Sequence, residues 1–153
     1  MLTITAEDPN SPDALQLIEA LSDVLAVITG DSGKASFDPE DVRAVNARFV
    51  IARDSKQRAV GCGAFRPLHA GVAEIKRMYA RPGTFGVGTR ILAFLEAEAA
   101  ALGFEALYLE TRLINQRAVN FYEARAYRRI PNYGKYAGNP AAVCFEKRLR
   151  SAE

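Results

Sequence analysis

The chain is poor in the residues from which most metal and thiol sites are made. Its 153 residues include one histidine, His69, and two cysteines, Cys62 and Cys144. A serine triad or a zinc site is hard to assemble around a single imidazole, and no Cys/His ligand spacing surrounds either cysteine. Two thiols also fall short of a disulfide framework; both sit in strand-like segments and read as small buried hydrophobes. Neither sign of charge dominates: 20 basic residues against 18 acidic ones leave a net charge of +2. No basic run interleaved with aromatics occurs, so nucleic acid is not an expected partner. Nor does any apolar stretch approach the ~20 residues that cross a bilayer. The opening MLTITAEDPN has no basic segment followed by an apolar core, the mark of an export signal. A cytoplasmic location away from membranes is the expectation.

What is present is ordinary for a folded globular protein: 49% apolar and 25% charged residues. Residues 1–153 read as one domain, long enough to bury about two thirds of its unfolded surface. Leu2 to Thr5 alternates as a first strand. Ser11-Pro12 then supplies an N-cap and a first-turn proline, and Leu15, Ile18, Leu21, Leu25 and Ile28 recur at helical spacing to about Thr29. After the Gly30–Gly33 loop and a short helix at Asp38-Pro39, the segments Arg48–Arg53, Val60–Phe65 and Val72–Ala80 read as strands. Tight turns join them, which implies an antiparallel meander. A helix over Thr89–Gly103 and a strand over Ala106–Glu110 complete a βαβ unit, so the strands it joins lie parallel. A helix at Gln116–Ala124 and strands at Tyr127–Ile130 and Ala142–Leu149 follow.

The most informative stretch is Ala73 to Leu92, AEIKRMYARPGTFGVGTRIL. An alternating strand stops at Pro82, passes Gly83, Gly86 and Gly88, and becomes helix-patterned. Backbone N–H groups at such an exposed helix start are unsatisfied, and the helix dipole favours a phosphate there. The loop lacks the Gly-Lys-Ser/Thr ending of a P-loop and the second half of the dinucleotide fingerprint. Taken alone it reads equally well as a plain strand-to-helix turn. A second motif, Asn115-Gln-Arg-Ala118-Val-Asn-Phe121-Tyr122, lies downstream.

In order, AEIKRMYARP, GVGTRIL, ALGFEALYLET and NQRAVNFYEARAY resemble the GNAT superfamily of N-acetyltransferases, from Val72 to about Leu149. The tail, Pro131 to Pro140 followed by VCFEK, is similar to that of small stand-alone bacterial members. The resemblance implies an α/β fold built on a mixed sheet: antiparallel N-terminal strands, a splayed parallel central pair and flanking helices. It implies acetyl-CoA as co-substrate and no metal. One departure stands out. The family places Arg or Gln three residues before the glycine that Gly86 matches; here that slot holds Gly83, and the loop from Pro82 to the helix is shorter than usual.

By the same resemblance, the backbone of Met78, Tyr79 and Ala80 would pair with the pantetheine arm like an added strand. Gly86, Val87, Gly88 and Thr89 would hold the pyrophosphate, with Arg90 a less certain contact. Asn115 would touch the cofactor arm or cap its helix, or do both. Tyr122 would donate a proton to the leaving thiolate, its alternative being a core tyrosine. Glu74 matches a glutamate used as general base in part of the family; otherwise it is a strand-end carboxylate paired with Lys76 or Arg77. Glu110 is the second candidate. Acceptor choice would fall to Ala26–Phe37 and Asn132–Asn139, with Tyr133 and Tyr136 as walls and Asp31 suited to a cationic amine.

The expected activity is transfer of an acetyl group to a primary amine of a small molecule or protein, by direct attack in a ternary complex. An alternative is a CoA-binding sensor or interaction module with little or no catalysis. The shortened loop favours that alternative, and Tyr122 together with Asn115 opposes it. A nucleotide-binding oxidoreductase fails on the glycine spacing and the meander. Pairing through sheet edges would give a homodimer, which nothing in the sequence requires.

Overall fold

The computed structural model describes residues 1–149. Seven strands form one sheet in the order β1-β2-β3-β4-β5-β7-β6. They are β1 (Thr3–Ala6), β2 (Arg48–Arg53), β3 (Ala59–His69), β4 (Val72–Ala80), β5 (Ala106–Arg112), β6 (Arg128–Ile130) and β7 (Ala142–Arg148). Every neighbouring pair is antiparallel except β4 and β5. The three α-helices are α1 (Pro12–Thr29), α2 (Val87–Ala101) and α3 (Gln116–Ala124). None is long and apolar enough, among the described residues, to cross a membrane.

Helix α1 begins where the sequence says it should. Ser11 Oγ accepts from the Ala14 N–H at 3.2 Å, Pro12 occupies the first turn, and Gly30 closes the helix at φ 80°. Its Leu17 packs on one face of the sheet with Phe49, Ile51, Cys62 and Ala64. The opposite face buries Val50, Ala52, Phe65 and Ile75 under Ile91, Leu92 and Leu95 of α2 and Val119 and Tyr122 of α3. Successive side chains of a strand point to opposite faces, so Phe49-Val50-Ile51-Ala52 feeds both layers in turn. Both cysteines are buried and free.

Helix α2 lies unusually close to β3. A Cβ at Gly61 would fall 2.6 Å from Val87 Cγ1 and 2.7 Å from the Tyr79 carbonyl oxygen. At Gly63 it would fall 2.5 Å from Met78 Sδ and 2.8 Å from Ile91 Cγ2. The absence of side chains at these positions sets how deep the helix sits.

The feature that positions the site is where pairing stops. Strands β4 and β5 match only Val72 with Ala106, Ala73 with Leu107 and Glu74 with Tyr108. Beyond Glu74 they diverge, β4 continuing against β3 and β5 against β7. The β3–β4 register shifts between Cys62 and Ala64, whose partners are Tyr79 and Lys76, so Gly63 faces the extra residue of a bulge. Arg77 sits there with a left-handed φ of 54°. A bulge bends its strand and re-aims a side chain.

Element ends differ modestly from the sequence reading. Helix α2 starts at Val87 rather than Thr89, because Gly86 at φ 69° already serves as its N-cap. Strand β5 reaches Arg112 rather than Glu110, since β7 supplies partners as far as Ala142. Tyr127 is a buried core ring rather than the first residue of β6.

Candidate active site

A cavity of about 180 Å³ opens between the diverging strands, under α1 on one side and α3 on the other. Met78 from β4, Asn115 before α3 and Tyr122 from α3 are among its lining residues, with Glu74, Lys76, Arg77, Glu110 and Arg112. The backbone of β4 beyond Glu74 is paired with β3 on one side and has no strand on the other. An extended polar ligand can use such an edge as a strand would.

Tyr122 is held by aromatic rings. Phe121 and Tyr127 approach it edge-on with centroids 5.1 and 5.6 Å away, and Phe145 lies at 6.3 Å. No described group hydrogen-bonds its hydroxyl, although buried tyrosines ordinarily find a partner. Burial pushes the phenol above its usual range, so it stays protonated at neutral pH. Asn115 caps α3, its side-chain oxygen accepting from the Ala118 N–H at 3.3 Å. The cap coexists with a place in the cavity lining.

These features coincide with those of known proteins. A family model described as the acetyltransferase (GNAT) family matches residues 16–127. The chain belongs to the GNAT acetyltransferase family. An Azospirillum brasilense protein named IAA acetyltransferase is 32% identical over 151 residues, covering 97% of this chain and 98% of its own. A Klebsiella pneumoniae protein provisionally described as an acyl-CoA N-acyltransferase superimposes with a TM-score of 0.83 at 28% identity, covering 98% of this chain and 99% of that one. A GNAT acetyltransferase from Staphylococcus aureus gives a TM-score of 0.76 at 13% identity over 98% and 100% of the chains, a likeness of fold.

The glycine loop lies at the start of α2. Gly86, Val87, Gly88 and Thr89 are outside the cavity lining. Arg90 N–H already bonds Gly86 O at 3.0 Å, while the N-cap makes no side-chain bond to the first-turn donors. Gly88 is small because a Cβ there would meet the Phe121 ring at 3.3 Å. Arg125, which the sequence did not single out, reaches this helix start. Its Nη2 and Nε donate to Thr89 Oγ1 at 2.6 and 3.0 Å, and its guanidinium stacks 4.0 Å over Phe121. A cation beside the positive end of a helix is electrostatically unfavourable until an anion joins them. Thirty-six residues separate the partners, so no local pattern announces the contact.

At the other end, the carboxylates differ. Glu74 is fully buried: Arg66 Nη2 lies 2.8 Å from Oε1, Lys76 Nζ 3.5 Å, and the Tyr133 hydroxyl donates to Oε2 at 2.5 Å. Lys76 is the expected partner; Arg77 is not, and Arg66 takes its place. Glu110 pairs with Arg112 Nη1 at 2.7 Å, and burial raises its proton affinity above the usual carboxylate range. Burial lowers that of Lys76, whose Nζ also donates to Tyr136 at 3.2 Å. Tyr136 walls the cavity as expected, whereas Tyr133 serves by bonding Glu74. Tyr79 packs toward α1 and Ala80 is exposed.

Proposed function

We propose that this acetyltransferase moves an acetyl group from acetyl-CoA to the amine of a small acceptor seated between β4 and β5. One observation carries the reading: Tyr122, whose hydroxyl has no described partner, lines a cavity together with the open edge of β4. When bound, acetyl-CoA supplies an activated acyl thioester. Met78, Tyr79 and Ala80 would orient it through their backbone, and Asn115 has its side-chain NH2 free of any described acceptor. The N–H groups of Val87, Gly88 and Thr89, with Arg125, would neutralise its phosphates. Arg125 would thereby substitute for the family's missing Arg/Gln, which weighs against the reading of the chain as a CoA-binding sensor. Tyr122 would hold the proton the departing sulfur needs.

The base assignment shifts on physical grounds. A general base must exchange protons with solvent and have an affinity near the working pH. Glu110, part-exposed and raised by burial, fits better than Glu74, which is bound to Arg66, Lys76 and Tyr133. Glu74 then fixes Lys76 and Tyr133 at the acceptor end. Because the affinity of Glu110 is raised, kcat/KM should fall as pH drops through that raised value. Glu110→Gln should lower the plateau and remove this acid limb; pH profiles of both proteins check it.

Titration calorimetry with acetyl-CoA and CoA, followed by a thiol-release assay over an amine panel, tests the proposal. IAA, which the Azospirillum relative's name carries, is assayed beside the amines. Saturable binding and acceptor-dependent thiol release are expected. Arg125→Ala should weaken CoA about tenfold, as loss of one charge-assisted phosphate contact does. Binding without thiol release for any amine would leave the sensor reading, and no binding at millimolar ligand would end both.

A further inference from the structure

The charges that line the cavity are equal in number, Asp31, Glu74 and Glu110 against Lys76, Arg77 and Arg112, but they are not all paired. Arg112 is matched by Glu110 at 2.7 Å, and Lys76 has Glu74 at 3.5 Å. Arg77 is different. It is 8% exposed, its Nε has no hydrogen-bond partner, and no described carboxylate pairs with it. Its Nη1 makes a long 3.4 Å bond to the Ser32 carbonyl, and the guanidinium lies 5.4 Å over the Phe37 ring. Asp31, which also lines the cavity, spends Oδ1 on the Gly33 N–H at 2.9 Å. Glu19 on α1 is taken by Lys34 at 3.1 Å. The left-handed bulge at Arg77 puts this cation beside Ser32 and Phe37, in the loop that follows α1.

A buried cation with no ion-pair partner is costly, and a bound anion that pairs with it recovers that cost. Burial lowers the proton affinity of Arg77 by more than the nearby Cys62 and Glu19 raise it. The planar guanidinium matches a carboxylate bidentately, and its free Nε lies on such a donor edge. Leu21, Leu25 and Phe37 make the adjoining wall apolar. We infer that the acceptor is a small amine that also carries a carboxylate, an amino-acid-like zwitterion, and that Arg77 binds this carboxylate while the amine faces the reacting end. This rests on the acetyl-transfer reading above, and it replaces the expectation, drawn from Asp31, of a purely cationic amine.

The test uses matched pairs that differ in the carboxylate: 3-aminopropanoate against propylamine, and L-phenylalanine against 2-phenylethylamine. Each is titrated calorimetrically into the full chain, alone and saturated with CoA, and each is assayed for kcat/KM in thiol release. The carboxylate member should bind about tenfold tighter, the usual scale for one charge-assisted pair. Arg77→Gln should erase the difference and Arg77→Lys should keep part of it. Should Arg77→Gln fail to fold, the pairs on the unaltered protein still decide. Equal or tighter binding of the plain amines, or no binding of either carboxylate amine, overturns the inference. Failure of CoA to bind would instead sink the acetyl-transfer reading, while the titrations without CoA would still report on Arg77.

Discussion

Tyr122→Phe is expected to lower kcat about a hundredfold, the lower end of what a positioned proton donor contributes. The melting temperature should not change. Removing a hydroxyl usually costs a hydrogen bond, but the Tyr122 hydroxyl has no described partner to lose. The ring contacts to Phe121, Tyr127 and Phe145, which fix the side chain, are all retained. Affinity for acetyl-CoA should be nearly unaltered, because the proton is needed as the carbon–sulfur bond breaks, not when the ligand binds. Thiol-release kinetics beside a thermal melt read all three quantities. An unchanged kcat would make Tyr122 a core residue, and a lowered melting temperature would reveal a bond that the geometry does not show.

Gly61→Ala should be the most damaging single methyl group in the protein. Its Cβ would press on Val87 Cγ1, Ile91 Cδ1 and the Tyr79 carbonyl oxygen, and the last belongs to a paired strand that cannot step aside. Overpacking of this kind costs on the order of 1–3 kcal/mol. At about 2–4 °C per kcal/mol for a domain of this size, the loss is plain in a melt. Gly63→Ala should be milder, since the nearest atom it meets is the sulfur of a flexible methionine, Met78. The effect of Gly61→Ala also reaches the site. Val87 opens α2, so pushing it off the sheet displaces the first-turn N–H groups, and CoA binding should weaken along with stability. Melts and calorimetry on the paired variants check both points.

The sequence made the large elements legible wherever a pattern was local. Ser11, Pro12 and Gly30 mark the ends of α1, and the alternation of β4 followed by the glycines marks the turn into α2. Two strands joined by one helix made the β4–β5 pair parallel by connectivity alone. Met78, Asn115, Tyr122 and Glu74 were all named from the family resemblance, and all line one cavity. The ion pairs were less legible. Arg66 reaches Glu74 across a β3–β4 pairing eight residues apart in sequence, and Tyr133 reaches it from 59 residues away. Such contacts depend on register and on loop closure, which no short window encodes.

By itself, then, the sequence determined the order of elements and the parallel pair. Capping, alternation and helical spacing are properties of neighbours along the chain, so they survive in one dimension. Tertiary structure alone decided how far β4 and β5 stay together, which carboxylate is sealed by cations and which stays open, and that Arg125 stands beside Thr89. It also decided that Arg77 is buried with its Nε unbonded. Burial and charge balance are sums over everything that packs around a group in space, and that sum exists only once the chain is folded.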